Sequence, residues 1–342
     1  MNAGEANLEW SLCTSWPARG AIAVIQVQSR DDLHGVGIDD LLADLHAGPV
    51  AIGRVAVRSF AGIDTCVLAR VDSRTLLVFP HAGRRILERI TEAFKARGVV
   101  RAEELTPLRQ YPEARDEIEA RMLACLARAA SPLAIDLLLD QPRRWRDVQH
   151  IGKVDPLTAR SLARLVHPPL IAAIGPPNVG KSSLLNVLAG RSLAVVADAP
   201  GTTRDHVGAT LDLGGLAVRW VDCPGFNPGE QDPLQLESQE LAMRTAAAAD
   251  LLVICGDAAS GFPRAELIPA GPDRVWAALR SDLGPPPNWP PEGRGAMVSV
   301  RRQTGLSGLV TEIREALVPG ACLKDVRAWR FWDLQEQDSR SM

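Results

Sequence analysis

The segment 170–190, LIAAIGPPNVGKSSLLNVLAG, decides the fold of this chain. Its apolar beginning, residues 170–174, predicts a buried strand, and residues 181–189 predict a helix that Gly190 stops. Between strand and helix lies a G-x-x-x-x-G-K-[ST] loop, and this context is the one in which such a loop binds phosphate. The segment therefore predicts a phosphate-binding loop at the edge of an α/β sheet.

The residue types in this loop suit an anionic ligand. Gly175 and Gly180 let the backbone wrap closely around phosphate and point its amide hydrogens at it. The positive end of the following helix dipole faces the same anion. Lys181 is expected to reach the terminal phosphates, and Ser182 is expected to offer its hydroxyl to Mg²⁺. The predicted nucleotide-binding residues of the loop are Gly175, Asn178, Val179, Gly180, Lys181, Ser182 and Ser183.

Composition narrows the class of protein further. The chain has 342 residues, which predicts two or three domains, and 46% of them are hydrophobic, which is enough for packed cores. A net charge of -3 argues against general binding to nucleic acid or to an anionic membrane. The six cysteines form no C-x-x-C pair, which favours reduced thiols over a disulfide or zinc framework. Because we find no signal-peptide pattern and no apolar stretch of membrane-spanning length, we expect a soluble cytoplasmic protein.

The order of predicted elements divides the chain into four parts. Residues 1–110 alternate strand and helix patterns and predict an α+β domain, whereas residues 111–166 have a helical pattern. Residues 167–320 alternate strands with helices, which is typical of a mostly parallel sheet, and residues 321–342 form a tail. The predicted strands are 21–27, 51–57, 66–71, 75–79, 170–174, 217–222, 251–255, 274–279 and 297–300, and further predicted helices are 38–45 and 82–97.

Prolines mark several boundaries in the second half of this pattern. Ser131 and Asp155 each precede a proline, which predicts two helix starts with a capping side-chain oxygen. Residues 257–273 are too short and too rich in proline for an ordinary long helix. Residues 284–295 are rich in proline and glycine and predict a loop.

Two groups of basic and aromatic residues allow two interpretations each. Arg143, Arg144 and Arg146 surround Trp145, and they form either a solvated arginine face with a half-buried tryptophan or a contact for RNA. The aromatic side chains of residues 329–332 form either a packing anchor or a site for a partner. We favour the solvated arginine face in the first case and the packing anchor in the second.

Two further motifs follow the phosphate loop in the order that a nucleotide switch requires. The first, P-G-T-T-R-D at 200–205, contains Thr202 and Thr203, and a threonine hydroxyl in this loop can complete the coordination of Mg²⁺ when the γ-phosphate is present. The second, D-C-P-G at 222–225, ends a predicted strand. Asp222 can hold Mg²⁺ through water, and Gly225 can give its N–H to the γ-phosphate.

Together these motifs resemble those of the MnmE/TrmE tRNA-modification GTPases, in the TrmE–Era branch of P-loop GTPases. The resemblance lies in G-x-P-N-V-G-K-S-S-L-x-N at 175–186, then P-G-T-T-R-D, then D-C-P-G. S-W-P-A-R-G-A at 15–21 is similar to the P-G-R-G-G opening of that family's N-terminal domain. The resemblance implies a folate-binding-like α+β domain over 1–110, a helical segment over 111–166 and a P-loop GTPase domain over 167–320.

The resemblance also implies an activity and its partners. It implies a Mg²⁺-dependent GTPase that binds GTP and GDP, in which Asn178 holds K⁺ beside the phosphates; the alternative for Asn178 is a loop-shaping role. In the family, a flavin-dependent partner and a folate one-carbon donor assist the modification of tRNA. A tetrahydrofolate derivative is then expected near residues 17–21, and a homodimer is expected through the N-terminal domain. The family's C-terminal cysteine motif is not matched around Cys322, so we expect a divergent, C-terminally truncated member.

The base-recognition element departs from the family's N-K-x-D. Here residues 279–282 read L-R-S-D, so Asp282 can accept two hydrogen bonds from guanine, while Leu279 cannot replace the asparagine amide. Arg280 can stack on the base, and Ser299 begins the equivalent of the following S-A-K element. We expect a weakened preference for GTP. The alternative for Asp282 is that it only caps a turn.

The catalytic residues implied by the resemblance are Asn178, Lys181, Thr203 and Gln235. Gln235 aligns with a water-orienting glutamate of the family, although a shift of two residues would place Glu237 there instead. Phe226 follows D-C-P-G and offers no side chain that orients water. Two functions therefore stay open, a GTPase and a GTP-gated binding module with weak hydrolysis.

Overall fold

The computed structural model describes residues 7–14, 20–30, 37–102, 105–191, 208–225, 232–289 and 293–332. The chain divides into two compact units, residues 1–124 and 125–342, and each unit contains one six-stranded sheet. This division falls inside the part that the sequence assigns to helices, so most of those helices belong to the same unit as the phosphate loop. Within the described ranges, no helix is both long enough and apolar enough to cross a membrane.

The N-terminal unit is an α+β fold on a mixed sheet. Its strands are β1 (Leu8–Leu12), β2 (Ile25–Ser29), β3 (Arg54–Phe60), β4 (Asp64–Arg70), β5 (Thr75–Phe79) and β6 (Val100–Arg101). Its helices are α1 (Ile38–Asp44), α2 (Arg84–Lys95), α3 (Pro107–Gln110) and α4 (Glu117–Leu126), the last of which ends just past the boundary. The strand order is β3-β4-β5-β2-β1-β6, and only β1 and β6 are parallel neighbours. The binding of folate by this unit stays a prediction.

Helix α2 covers this sheet with one apolar face. Leu87, Ile90 and Phe94 recur at helical spacing and are almost fully buried. Phe94 meets Phe60 edge-on, with ring centroids 5.9 Å apart. The hydrophobic period of the sequence is therefore the reason that α2 forms and packs where it does.

The C-terminal unit is built on a mostly parallel sheet. Its strands are β7 (Leu170–Ile174), β8 (Gly208–Asp212), β9 (Ala217–Asp222), β10 (Leu251–Gly256), β11 (Asp273–Ala278) and β12 (Arg294–Met297). Its helices are α5 (Ala134–Leu139), α6 (Gln141–Arg146), α7 (Val148–Ile151), α8 (Pro156–Val166), α9 (Lys181–Arg191), α10 (Pro233–Ala247), α11 (Leu306–Leu317) and α12 (Gly320–Leu323). The order is β12-β11-β10-β7-β9-β8, and every neighbouring pair is parallel except β8 with β9.

Parallel pairing brings the functional loops together. All six residues of β10 are buried, as expected for a strand in the middle of a sheet with both faces covered. Because β7, β9, β10 and β11 run in the same direction, their carboxyl ends lie at one edge of the sheet. In open α/β sheets, ligands bind at this edge. The residues that follow Ile174, Asp222, Gly256 and Ala278 are therefore placed around one region.

The helices before β7 are fastened to this sheet. The Ser131 hydroxyl accepts a hydrogen bond of 3.0 Å from the amide of Ala217 in β9. Arg164, in α8, donates to the main-chain carbonyl of Leu317 at 2.8 Å and lies 3.7 Å from the carboxylate of Asp250. Because Leu317 ends α11 and Asp250 precedes β10, one arginine connects three elements.

One arginine of the basic cluster around Trp145 is buried in the structure. Arg143 and Arg144 both donate to Asp140, and these hydrogen bonds, that of Arg143 first, lower the pKa of Asp140 to about 2. Arg144 is only 9% exposed and donates to the main-chain carbonyl of Asp325 at 2.6 Å. Arg144 therefore serves packing, which corrects the solvated face expected at this residue, whereas Arg143 and Arg146 are exposed.

The aromatic residues near the C-terminus form a packing anchor, as predicted. Trp329 and Phe331 are almost fully buried. The main chain of Trp329 accepts a 2.9 Å hydrogen bond from the indole of Trp145 and donates one of 2.8 Å to the side chain of Gln141. The rings of Trp145 and Trp332 pack at a tilt of 47°, with centroids 4.9 Å apart. The segment 325–332 therefore returns from the end of the sheet domain to helices α6 and α7.

Several expectations about secondary structure are wrong. Ser131 does not cap a helix, because its hydroxyl accepts from the amide of Ala217 and helix α5 begins at Ala134. Helix α9 passes through Gly190, because this glycine does not adopt the left-handed backbone that ends a helix. Strand β12 covers Arg294–Met297 and does not continue to residue 300, because Ser299 pairs with Thr304 across a turn. Strands β1, β6 and β8 were not predicted.

Candidate functional site

The phosphate loop has the backbone that its sequence predicts. It leaves β7 at Gly175, whose φ is 152°, and enters α9 at Lys181. A Cβ atom on Gly175 would collide with the main-chain carbonyl of Cys255 at the end of β10. Asn178 has a φ of 60°, in the left-handed region. Gly175 is therefore required so that the loop can pass close to β10 before it turns.

Lys181 points back into the loop. Its ammonium donates to the main-chain carbonyls of Gly175 at 3.3 Å and of Pro176 at 3.0 Å, and the residue is 7% exposed. A buried ammonium requires such partners, since burying an unpaired charge is costly. Phosphate oxygens placed in the loop would offer the same ammonium stronger, charged acceptors.

The hydroxyl and the carboxylate expected to bind Mg²⁺ are in contact. Ser182 Oγ donates to Asp222 Oδ2 at 2.5 Å, because α9 begins and β9 ends at the same edge of the sheet. The other carboxylate oxygen, Oδ1, is buried and has no hydrogen-bond partner among the described residues. The Ser182 hydroxyl and the Asp222 carboxylate therefore offer oxygen ligands, which Mg²⁺ prefers, and Oδ1 of Asp222 is available to bind it.

The segment after β9 lies against the phosphate loop. A Cβ atom on Gly225 would come within 2.5 Å of the Pro177 nitrogen and 2.6 Å of its Cα. Only glycine permits this approach. The close contact places Gly225 beside the loop, where its predicted contact with the γ-phosphate requires it to be.

A cavity of about 360 Å³ lies between the start of α9 and the loops after β11 and β12. Val179, Leu279, Arg280 and Asp282 are among its lining residues. Asp282 accepts a hydrogen bond of 2.6 Å from the hydroxyl of Ser299, and this bond lowers the pKa of the Asp282 carboxyl. Asp282 is thus held as an ionised acceptor at a cavity of the size that a purine base requires. Ser299 is fully buried, and its hydroxyl holds the Asp282 carboxylate in place through this hydrogen bond.

Arg280 lines both this cavity and a neighbouring one of about 280 Å³ at the phosphate loop. Its backbone is left-handed, with a φ of 51°, and its guanidinium donates to the Asn178 carbonyl at 2.6 Å and to Asp257 Oδ2 at 3.2 Å. Asp257 is 3% exposed and also accepts from the amides of Ala259 and Ser260. Sequence reasoning missed Asp257. The available signal was an aspartate directly after the buried strand β10.

Several predicted site residues lie outside the described part of the chain. Thr202 and Thr203 fall in 192–207, and Phe226 falls in 226–231. Gln235 belongs to α10, but its side chain is not described. The roles predicted for these residues stay predictions. Among the described residues, the structure brings the loop residues 175–183 together with Asp222, Gly225, Arg280, Asp282 and Ser299.

Two thiols lie close to the phosphate loop and are inert. Cys223 and Cys255 are buried, and burial raises the pKa of each thiol to about 12. They are therefore protonated at neutral pH and poor nucleophiles. All six cysteines are free, as predicted.

Comparison with known proteins identifies the class of this site. The family model described as 50S ribosome-binding GTPase matches residues 170–271, which include the phosphate loop and Asp222. Among solved structures, Aquifex aeolicus Era bound to GDP.AlF4- is 27% identical, with a TM-score of 0.35 and coverage of 44% of this chain and 56% of that chain. The family match over residues 170–271 shows that the C-terminal unit contains a P-loop GTPase domain.

Curated relatives match a larger part of the chain. The tRNA modification GTPase MnmE of Acidiphilium cryptum is 33% identical over 337 residues, which cover 86% of this chain and 70% of that protein. A protein of the same name from Thermus thermophilus is 37% identical over 220 residues, which cover 59% of this chain and 47% of that protein. The chain thus spans between about half and 70% of the length of these two relatives. With 33% identity along most of both proteins, the chain belongs to the MnmE family of tRNA modification GTPases.

Proposed function

We propose that this chain binds GTP and GDP around its phosphate loop and hydrolyses GTP with Mg²⁺ and K⁺. The observation that carries the proposal is the convergence of Lys181, the Ser182–Asp222 pair and Asp282 on one loop. The phosphate end is a cavity of about 280 Å³ lined by Lys181, Ser182 and Asn178. Arg280 lines both this cavity and the larger one that contains Asp282, so a single nucleotide can occupy the two.

The residues then have distinct roles. Lys181 would exchange its bonds to the loop carbonyls for bonds to phosphate oxygens, and Ser182 and Asp222 would hold Mg²⁺. When bound, Mg²⁺ would neutralise charge on the β- and γ-phosphates. Asp282 would accept hydrogen bonds from the ring N–H and the amino group of guanine, and adenine cannot supply this pair of donors. Thr203 would sense the γ-phosphate and Gln235 would orient the attacking water.

Asn178 is proposed as the K⁺ ligand. Its main chain is fixed by the bond from Arg280, and its side chain is exposed and lines the phosphate cavity. A monovalent cation in this place would stabilise negative charge that develops on the transferred phosphoryl group. The left-handed backbone also fits a loop-shaping asparagine. Asn178→Gly separates the two roles, because glycine keeps the backbone and removes the side-chain ligand.

We expect GTP turnover with Mg²⁺ to be at least about tenfold faster in KCl than in NaCl, because fixed positive charge stabilises the transition state. In Asn178→Gly the KCl rate should fall to the NaCl rate while the affinity for GDP is kept. The measurement is phosphate release at equal ionic strength, together with a GDP titration of both proteins. Equal rates of the unaltered chain in the two salts would remove the cation role, and K⁺ stimulation that survives in Asn178→Gly would leave Asn178 only its loop-shaping role.

A second candidate is a GTP-gated binding module with weak hydrolysis. The observation that favours it is the altered base element, in which Leu279 offers no hydrogen bond and Arg280 is already engaged by Asn178 and Asp257. A single-turnover measurement in KCl distinguishes the candidates, because rapid hydrolysis of bound GTP excludes the module.

We further propose that the chain acts in the cytoplasm on tRNA, as a homodimer formed through its N-terminal unit, with a flavin-dependent partner and a folate one-carbon donor. The support is family membership, and residues 17–21 are the proposed folate contact. Residues 15–19 lie outside the described ranges. In a bacterial strain that lacks its own family enzyme, expression of the chain is expected to restore the modified wobble uridine, measured by mass spectrometry of tRNA nucleosides. No restoration despite normal expression would count against this proposal and leave GTP binding unaffected.

A further inference from the structure

We propose that this chain recognises guanine only through its N1–H and 2-amino group and leaves N7 unread, because residue 279 is leucine. The inference rests on the proposed function, since it requires a guanine nucleotide in the cavity that contains Asp282. The affinity for a base then depends on its N1–H and 2-amino edge and does not depend on the atom at position 7.

The side chain of Leu279 has no hydrogen-bonding group to offer the cavity. Leu279 follows β11 directly, is 1% exposed and lines the cavity. Its Cδ1 atom lies 3.7 Å from the position that a Cβ on Gly180 would take, so it packs against the phosphate loop. A leucine in this place holds the loop and the base-reading segment together by van der Waals contact and neither donates nor accepts a hydrogen bond.

The arginines at the cavity do not supply the missing donor. Arg280 already uses one terminal nitrogen for the Asn178 carbonyl and the other for Asp257. Turning toward a base would release the buried carboxylate of Asp257 from its charged partner, which is costly. Arg301 also lines the cavity but is exposed, so it would exchange water for N7 with little net gain.

Asp282 reads the opposite part of the base. Its carboxylate is ionised and accepts only, and one oxygen is held by Ser299 at 2.6 Å. A base must therefore present adjacent N–H donors. Guanine and 7-deazaguanine both do so, whereas hypoxanthine has lost the 2-amino group. The cavity thus distinguishes hypoxanthine from guanine and treats 7-deazaguanine as guanine.

The experiment is competition of GTP, 7-deaza-GTP and ITP against a fluorescent GDP in Mg²⁺ buffer. We expect equal affinities for GTP and 7-deaza-GTP. The affinity for ITP should be lower than that for GTP by about tenfold or more, because one hydrogen bond to a charged acceptor is lost. In Leu279→Asn, which is close in shape and adds an amide donor, GTP should bind about fivefold more tightly, as expected for one new neutral hydrogen bond, while 7-deaza-GTP should not. Leu279→Ala is the matched control and should weaken both triphosphates equally, because it removes packing alone.

The outcomes separate this inference from the proposed function. If GTP binds and 7-deaza-GTP binds about tenfold more weakly to the unaltered chain, N7 is read and the inference is wrong, a result that needs no variant. If folded Leu279→Asn still treats the two triphosphates alike, residue 279 does not set this specificity. If neither triphosphate displaces the fluorescent nucleotide, nor binds by calorimetry, the proposed GTPase function fails together with the inference.

Discussion

Replacing Lys181 by alanine is expected to weaken the binding of GTP and GDP by about a hundredfold or more. The ammonium sits inside the phosphate loop at 3.0 to 3.3 Å from two main-chain carbonyls, where a nucleotide would bring its phosphates. Each hydrogen bond between charged groups contributes about 1.5–3 kcal/mol, and about 1.4 kcal/mol corresponds to a factor of ten in affinity. Loss of two such bonds therefore accounts for the expected change. Isothermal titration calorimetry with GDP and Mg²⁺ is the direct measurement.

Lys153→Ala is the matched control for this prediction. Lys153 is exposed, and its ammonium lies over the ring of Trp145 at 5.0 Å, away from the loop. The substitution Lys153→Ala removes the same side chain and the same charge as Lys181→Ala. Because Lys153 is not at the phosphate loop, the affinity for GDP should be unchanged. Circular dichroism of both variants checks that the loop substitution has not unfolded the protein. A folded Lys181→Ala protein with the affinity of the unaltered chain would contradict the role given to this residue.

The sequence predicted those strands and helices whose ends are set by neighbouring residues, such as a proline, a glycine or a capping side chain. Strand β7 matches the predicted 170–174, because a short apolar run is bounded by prolines before it and by the glycine loop after it. Helix α8 begins after Asp155, whose side chain accepts from the Thr158 amide as a cap should. Strand β8 was missed because its burial comes from pairing with β9, which a single-sequence pattern does not reveal.

The site divides in the same way. The phosphate loop and D-C-P-G were predictable, because closely spaced residues carry their chemistry. The contact of Arg280 with Asp257 was not, since the two residues are far apart in sequence and meet only after β10 and β11 pair. For Ser299, the structure adds a hydrogen bond from its buried hydroxyl to Asp282, and the nucleotide contact that the sequence predicted stays a prediction.

The segment 325–332 explains how the helices before β7 stay attached to the sheet that follows them. Arg144 donates to the main-chain carbonyls of Asp325 and Arg327, and Val154 and Gly152 pair with Ala328 through main-chain hydrogen bonds. Such bonds hold position but add only about 0.5–1.5 kcal/mol each. The larger contribution must come from the apolar side chains that this segment buries, and Trp329 is the largest of them.

Trp329→Ala is therefore expected to lower the free energy of unfolding of the C-terminal unit by about 3 kcal/mol, at the lower end of the range for burying alanine in place of tryptophan. Trp329 is 0% exposed and packs against Phe331 with ring centroids 6.0 Å apart. The lower end applies because the buried indole N–H has no hydrogen-bond partner within the described part of the chain, so its removal also relieves a cost. Guanidinium unfolding followed by circular dichroism measures the change.

Trp289→Ala supplies the comparison that gives this number its meaning. Trp289 is 38% exposed and meets one aromatic neighbour, Phe262, at 5.6 Å, so the same truncation should cost less than about 1.5 kcal/mol. A protein in which the segment 325–332 only rests on the surface would lose similar, small amounts at both positions. A loss at Trp329 about twice that at Trp289 or more would instead show that this segment closes the core of the unit, since the two substitutions remove the same atoms and differ in burial.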